Sequence, residues 1–105
     1  MSVIIVANLV AKAGQEELVE KTLLEAVPAV HDEPGCARYS LHRKKGTVGH
    51  FVMVEKWASE NDLQSHRGGI AMAKVGKVLG DALAEAPSVV VLDALPAGDL
   101  DKGAL

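Results

Sequence analysis

The 105-residue sequence contains one cysteine and three aromatic residues, and its apolar runs are all short. Because Cys36 has no partner for a disulfide within the chain, we expect a reducing, cytoplasmic location. No apolar run approaches the roughly 20 residues that a membrane-spanning helix needs, so no membrane partner is expected. Residues 1–10 are apolar but lack a charged leader and a cleavage site, which predicts a strand rather than a signal peptide.

Positive charge is also scarce, since 11 Lys and Arg stand against 14 Asp and Glu for a net charge of −3. The densest basic run, residues 43–45, is typical of an exposed hairpin tip, so we expect no nucleic acid partner. The sequence has no phosphate-binding loop and no dinucleotide glycine fingerprint, so no cofactor is expected. His42 and His50 are predicted to lie opposite each other, but no third ligand converges on them, so no metal site is expected.

The remaining residues predict one small α+β domain. Apolar residues follow strand or helix periodicity over segments in the order strand, helix, strand, strand, helix, helix, strand: 2–10, 15–30, 36–43, 50–57, 59–66, 70–83 and 89–92. Pro28 is expected to kink or end the first helix. This order predicts a ferredoxin-like fold with an antiparallel sheet over residues 1–95. Residues 96–105 are rich in Gly, Asp and Lys and predict a tail that is disordered or an arm on a partner.

The two central strands are predicted to form a hairpin. With Gly46 at its tip, Leu41 lies opposite Phe51, and Tyr39 lies opposite Met53. Because side chains alternate along a strand, one face of the hairpin then carries all the aromatic residues and a carboxylate: Tyr39, Leu41, Phe51, Met53, Glu55 and Trp57.

The other face of the hairpin is predicted to be open and apolar. Val52 and Val54 lie there with alternate residues of the first and last strands. An apolar patch of this kind is poorly suited to water, and a second copy of the chain is the simplest cover for it. We therefore expect a homodimer.

Glu55 and His66 are the candidate catalytic residues. An ionised carboxylate on an aromatic face is costly, and burial raises the pKa of a carboxyl until it can act as an acid or base near neutral pH. The alternative is a structural salt bridge from Glu55 to Arg38, Arg43 or Arg67. Ser59 is expected to cap the helix that carries His66, whose imidazole is then a candidate base or donor near the sheet. The alternative for His66 is an ordinary surface residue.

Residues 33–43 and 51–59, followed by Leu63 and His66, resemble the antibiotic biosynthesis monooxygenase family, which includes quinol monooxygenase-like proteins. The resemblance extends over about residues 2–95. It implies a ferredoxin-like protomer that dimerises into an α+β barrel. For some members it also implies oxygenation of polycyclic or quinol substrates by O2 without metal or flavin.

The resemblance also implies roles for particular side chains. Asn8, Tyr39 and Trp57 would position an aromatic ring, while His66 or Glu55 would assist proton removal. An electron-rich phenolate or enolate can itself reduce O2, so the protein needs only to bind, deprotonate and desolvate it. We expect these side chains to line one cavity. The leading hypothesis is thus a cofactor-independent monooxygenase acting on a phenolic, quinol or anthrone-like small molecule.

Two departures from the family limit this reading. Many relatives carry a second His five residues after the first, where this chain has Ala71. Haem-degrading relatives carry a Trp at the position of His66 and a later His near Gly76, so haem chemistry is not expected.

Two alternative functions stay open. One is a non-oxidative isomerase of a small phosphorylated keto compound, which would need arginine contacts. The other is a non-catalytic ligand-binding dimer.

Overall fold

A computed structural model of the protein describes residues 2–105 and contains the predicted elements in the predicted order. Their bounds are β1 (Val3–Val10), α1 (Glu16–His31), β2 (Cys36–Arg43), β3 (His50–Trp57), α2 (Glu60–Arg67), α3 (Ile70–Leu79) and β4 (Ser88–Asp93). Across residues 2–105, no helix is both long and apolar enough to cross a bilayer.

The four strands form one antiparallel sheet in the order β2-β3-β1-β4. The helices cover one face of this sheet, and the hydrophobic core lies between the two layers. This is the ferredoxin-like α+β arrangement that the order of elements predicts. Since β1 is an inner strand, its apolar run is buried over most of its length, with Ile5 only 2% exposed.

The hairpin register differs from the prediction by two residues. Tyr39 lies opposite Glu55, and Leu41 lies opposite Met53. A shift of two residues keeps every side chain on its predicted face, because side chains alternate with a period of two. The predicted aromatic face is therefore correct, and its members are buried apart from a half-buried Leu41.

The turn explains the shift. The Lys44 amide donates to the His50 carbonyl at 2.8 Å, which leaves residues 45–49 as the loop. The centre of this loop is therefore Thr47 and not Gly46. The Thr47 hydroxyl donates to the Lys44 carbonyl at 2.7 Å. One consequence is that His42 lies opposite Val52, so the predicted pairing of His42 with His50 is wrong.

Of the two outcomes predicted for Pro28, a kink or an end of the helix, the end is wrong, because α1 continues past Pro28 to His31. Pro28 removes only the bond to the Leu24 carbonyl, and its ring lies on the exposed face of the helix. Ala26 and Val30, on either side of it, are both buried in the core. This packing holds the last turn in place.

Helix α3 ends at Leu79, four residues before the predicted end. The residues that follow bind the end of β1 and do not continue the helix. The Ala82 carbonyl accepts from the Lys12 amide, and the Ala84 amide donates to the Val10 carbonyl, each at 2.8 Å. Hydrogen bonds to Val10 and Lys12 thus compete successfully with the last helical turn.

The second face of the sheet has no helix on it. Val90 and Leu92 of β4 are 47% and 41% exposed there, beside the half-buried Val6, Val52 and Val54. The C-terminal residues also reach this side, where the Leu105 carbonyl accepts from Lys56 Nζ at 2.5 Å. Residues 99–103 form a hydrogen-bonded turn in this tail, and its role as an arm on a partner stays a prediction.

Candidate active site

A cavity of about 640 Å³ lies between the sheet and helix α3. Its walls are mainly apolar and come from β1, β3, α2 and α3: Ile5, Ala7, Leu9, Met53, Leu63, Met72, Val75 and Leu79. The polar side chains in the wall include Tyr39, Glu55 and His66. An apolar pocket with a few converging polar groups is typical of a small-molecule site.

Three of the five predicted site residues, Tyr39, Glu55 and His66, therefore share one cavity. Trp57 lies directly behind them. It is fully buried, and its indole stacks on the His66 imidazole with the ring centroids 4.4 Å apart and the planes inclined by 29°. Tyr39 meets the same imidazole edge-on, at 5.5 Å between centroids. The histidine is thus held between two aromatic rings.

Asn8 does not join this group. Residues 5, 7 and 9 of β1 point toward the helices, so Asn8 points to the opposite face of the sheet. There its Oδ1 accepts a hydrogen bond from His50 Nε2 at 2.9 Å, which satisfies the amide oxygen. The expectation that all five side chains line one cavity is therefore not met, because Trp57 lies behind the cavity wall and Asn8 lies on the opposite face of the sheet.

The cap of α2 places His66. Ser59 Oγ accepts from the Asp62 amide at 3.1 Å, and its hydroxyl donates to Asp62 Oδ2 at 2.9 Å, so the predicted cap is confirmed. Because the cap fixes the first turn of the helix, Leu63 and His66, which are three residues apart, both point toward the sheet. Both are buried, at 1% and 5% exposure.

Glu55 and His66 approach each other without bonding directly. Glu55 Oε1 accepts a hydrogen bond from Trp57 Nε1 at 3.0 Å, and His66 Nε2 lies 3.9 Å from the same oxygen. That separation is too long for a hydrogen bond. The two polar groups therefore face the cavity side by side, where a ligand hydroxyl can contact both.

Burial controls the acid–base properties of the cavity. Removal from water raises the pKa of Glu55 above its ordinary value. The Trp57 hydrogen bond and the charges of His66 and Arg67 lower this pKa, but by less than burial raises it. Burial likewise raises the pKa of the Tyr39 phenol, with a further contribution from the charge of Glu55. Tyr39 is therefore a neutral hydrogen-bond donor, and Glu55 is a carboxyl that holds a proton more readily than usual.

Glu33 is a site residue to which the sequence pattern gives no role. His66 Nδ1 donates to Glu33 Oε1 at 2.6 Å. The loop that carries Glu33 can approach α2 because of Gly35, which has a φ of +77° and packs against Asp62. A Cβ at Gly35 would collide with the Asp62 side chain. Sequence spacing gives no signal for this contact, because it joins residues 33 positions apart.

The alternatives to catalysis find little support in the geometry. Arg43 pairs with Glu20 and lies over the Phe51 ring, and Arg38 is an exposed residue of β2. Within residues 2–105, no arginine forms a salt bridge with Glu55, so the predicted structural ion pair is absent there. His66 is buried, which also excludes the ordinary surface residue.

The fold and this cavity can be compared with known proteins. The sequence model of the antibiotic biosynthesis monooxygenase family matches residues 2–77. The chain belongs to the antibiotic biosynthesis monooxygenase family. No curated protein sequence gives a significant match. The matched region contains every candidate site residue and ends before β4.

Solved structures share this fold, and one of them also supports the family assignment. A Caulobacter crescentus protein, provisionally named as an antibiotic biosynthesis monooxygenase, is 32% identical over 90% of each chain, with a TM-score of 0.83. Rv0793 from Mycobacterium tuberculosis is 22% identical over 94% of this chain and all of its own, with a TM-score of 0.87. PA3566 from Pseudomonas aeruginosa is 23% identical over 90% of this chain and 94% of its own, with a TM-score of 0.85. The last two show the fold alone.

Proposed function

We propose that this protein is a monooxygenase that oxidises a phenolic, quinol or anthrone-like small molecule with O2, using neither metal nor flavin. The observation that carries the proposal is the buried Glu55–His66 pair facing an apolar cavity of about 640 Å³. A cavity of that volume accommodates a small aromatic substrate. Membership of the antibiotic biosynthesis monooxygenase family supports the reaction class.

The proposed first step is removal of a proton from the bound substrate. The unprotonated Nε2 of His66 accepts it, while Tyr39 donates a hydrogen bond to the oxygen that becomes negative. Glu55 also donates to this oxygen when it is protonated, a state that its raised pKa favours. Apolar walls withhold water from the anion, which strengthens these hydrogen bonds and makes the anion a better reductant.

The second step is reaction of the anion with O2. For an anthrone-like CH2 group, the carbanion forms a C–O bond to O2, and His66 returns its proton to the resulting peroxide. Loss of water from this hydroperoxide then leaves a ketone. The substrate supplies all four electrons, since CH2 and O2 become C=O and H2O, so the route requires no reducing cofactor.

This proposal changes two of the roles predicted from the sequence. Asn8 has no part in it, because it lies on the opposite face of the sheet. Trp57 is fully buried, so it acts by holding His66 and Glu55 in place and does not touch the substrate.

The residues that line the cavity are less suited to the two other candidate functions. A phosphorylated keto compound needs several cationic contacts. Among the described residues, Arg67 is the only lysine or arginine in the cavity wall, and the acidic Glu55 and Glu85 lie there too. A non-catalytic ligand-binding dimer would be favoured by a solvated His66, whereas His66 is buried and hydrogen-bonded to Glu33.

Oxygen consumption tests the proposed function. Wild-type protein treated with a chelator is expected to consume O2 with reduced quinones or anthrones, and His66→Ala is expected to lose about 100-fold or more of kcat. His42→Ala removes an exposed histidine from β2 and is the matched control, which is expected to keep full activity. Trp57 is the only tryptophan and lies behind the cavity, so its fluorescence reports binding separately. Binding without oxygen consumption in any variant would support the non-catalytic alternative instead.

We also propose that the protein is a homodimer in which the open sheet faces pack together to form an α+β barrel. A folded monomer of 11.0 kDa is expected to expose about 5,600 Å². This chain exposes 6639 Å². The excess is of the order buried by one partner in a stable interface, which is about 800 Å².

We further propose that the protein is located in the cytoplasm, because its single cysteine, Cys36, cannot form a disulfide within the chain.

A further inference from the structure

His66 forms part of the wall between two separate openings. Besides the main cavity, a cleft of about 440 Å³ lies on the other side of its ring, between the loop before β2 and the start of α3. Glu33 and Lys74 line this cleft and do not line the main cavity. Glu33 is therefore next to the histidine but outside the space proposed for the substrate.

The two nitrogens of the imidazole face different partners. Nε2 lies 3.9 Å from Glu55 Oε1 on the side of the main cavity, whereas Nδ1 lies 2.6 Å from Glu33 Oε1. A carboxylate oxygen only accepts, so Nδ1 carries the proton of the neutral ring and Nε2 carries the lone pair. The His66 side chain is 4% exposed, so water does not compete effectively for either nitrogen.

The position of Glu33 is itself fixed by the fold. Its carboxylate lies beside Gly69, which is the N-cap of α3 and makes no side-chain cap hydrogen bond. The first turn of α3 contains no acidic residue of its own, and the Glu33 carboxylate lies at this positive end of the 10-residue helix. A Cβ at Gly69 would lie 3.5 Å from Glu33 Oε2, which is an ordinary van der Waals contact, so the carboxylate lies directly against the start of α3.

We propose that Glu33 is the positioning residue for His66, an inference that rests on the proposed function. It holds the tautomer in which Nε2 is free to accept the substrate proton. While the substrate anion reacts with O2, the imidazolium keeps the Nδ1–H···Glu33 hydrogen bond as a charged pair. The proton then leaves Nε2 for the peroxide, and the ring returns to its starting tautomer without rotating.

Nitrogen-15 NMR of the imidazole tests this directly and needs no substrate. The His66 signals, assigned by their loss in His66→Ala, are expected to show the Nδ1–H tautomer in the wild type. Glu33→Ala is expected to shift the ring toward the Nε2–H tautomer. Asp32→Asn removes the same charge one residue earlier, from an exposed side chain, and is expected to leave the tautomer unchanged. An unchanged tautomer in Glu33→Ala would overturn the proposal.

Kinetics with an active substrate provide the second readout. Glu33→Ala is expected to lower kcat about 10-fold to 100-fold with KM within about twofold of wild type, because Glu33 does not line the substrate cavity. Glu33→Gln keeps the shape and loses the charge, and it is expected to lose a similar share of kcat. Full kcat in both variants would overturn the catalytic part. If the wild type oxidises no substrate, the proposed function fails, while the NMR result still decides the role of Glu33.

Discussion

At the scale of single residues, Glu55 determines how the core responds to pH. Burial raises the pKa of its carboxyl in the folded protein, whereas the unfolded chain has the ordinary value. Between these two values the folded state binds a proton that the unfolded state releases, so the free energy of unfolding falls as pH rises through that window. Above it the folded protein retains the cost of a buried charge.

Glu55→Gln removes this cost. The amide oxygen of glutamine can still accept from Trp57 Nε1, so the packing is retained. We expect this variant to melt several degrees above the wild type at pH 8, and to lose the decline in stability above pH 5. Calorimetry across pH 4–9 measures both effects. Glu25→Gln, which changes an exposed carboxylate on α1, is the control. A lower melting temperature for Glu55→Gln alone would mean that the nearby His66 charge outweighs burial.

At the scale of elements, the short helix α2 depends on its ends. It has 8 residues, too few to be stable alone in water. Its N-terminus is held by Ser59 and Asp62, and its inner face by the buried Leu63 and His66. The same cap that stabilises the helix therefore also sets the angle from which the imidazole meets Glu55.

Ser59→Ala is expected to lower the free energy of unfolding by about 1 kcal/mol, the usual cost of losing an N-cap. It should also lower kcat, because His66 loses part of its support. Chemical denaturation and oxygen uptake measure the two effects. Ser65→Ala, on the exposed side of the same helix, is the control, and Ser59→Asp is expected to restore both quantities. Equal stability of Ser59→Ala and Ser65→Ala would contradict the importance of the cap.

At the scale of the whole molecule, the open sheet face is the surface proposed for assembly. Valine and leucine side chains of β1, β3 and β4 are concentrated on it, and none of the helices covers it. The cavity lies on the opposite face, so the proposed assembly and the proposed catalysis would use separate surfaces. A variant on the open face should therefore change the oligomeric state before it changes the chemistry.

Val90→Asp places a charge on this face, at its β4 edge, and is expected to shift the protein from dimer to monomer. Val48→Asp makes the same change at a residue that is 72% exposed in the hairpin loop, and it should leave the assembly unchanged. Sedimentation velocity over a range of concentrations distinguishes the two. A wild-type protein that sediments as a monomer at all concentrations would contradict the dimer.

The sequence alone determined the order of elements, the buried face of the hairpin and the cap of α2. It also identified Glu55 and His66 as the candidate catalytic residues. These features depend on local rules, namely side-chain alternation, helical spacing and capping chemistry. The face of the hairpin was predictable even though its register was wrong by two residues, because both registers bury the same side chains.

Only the tertiary structure decided which face Asn8 occupies, where α3 ends and what holds His66. Strand β1 is apolar on both faces, so its sequence contains no alternation that could place Asn8. The end of α3 depends on hydrogen bonds to β1. Glu33 meets His66 only because Gly35 lets a distant loop pack against α2. Each outcome is set by contacts between segments far apart in the chain, and local sequence patterns carry no information about such contacts.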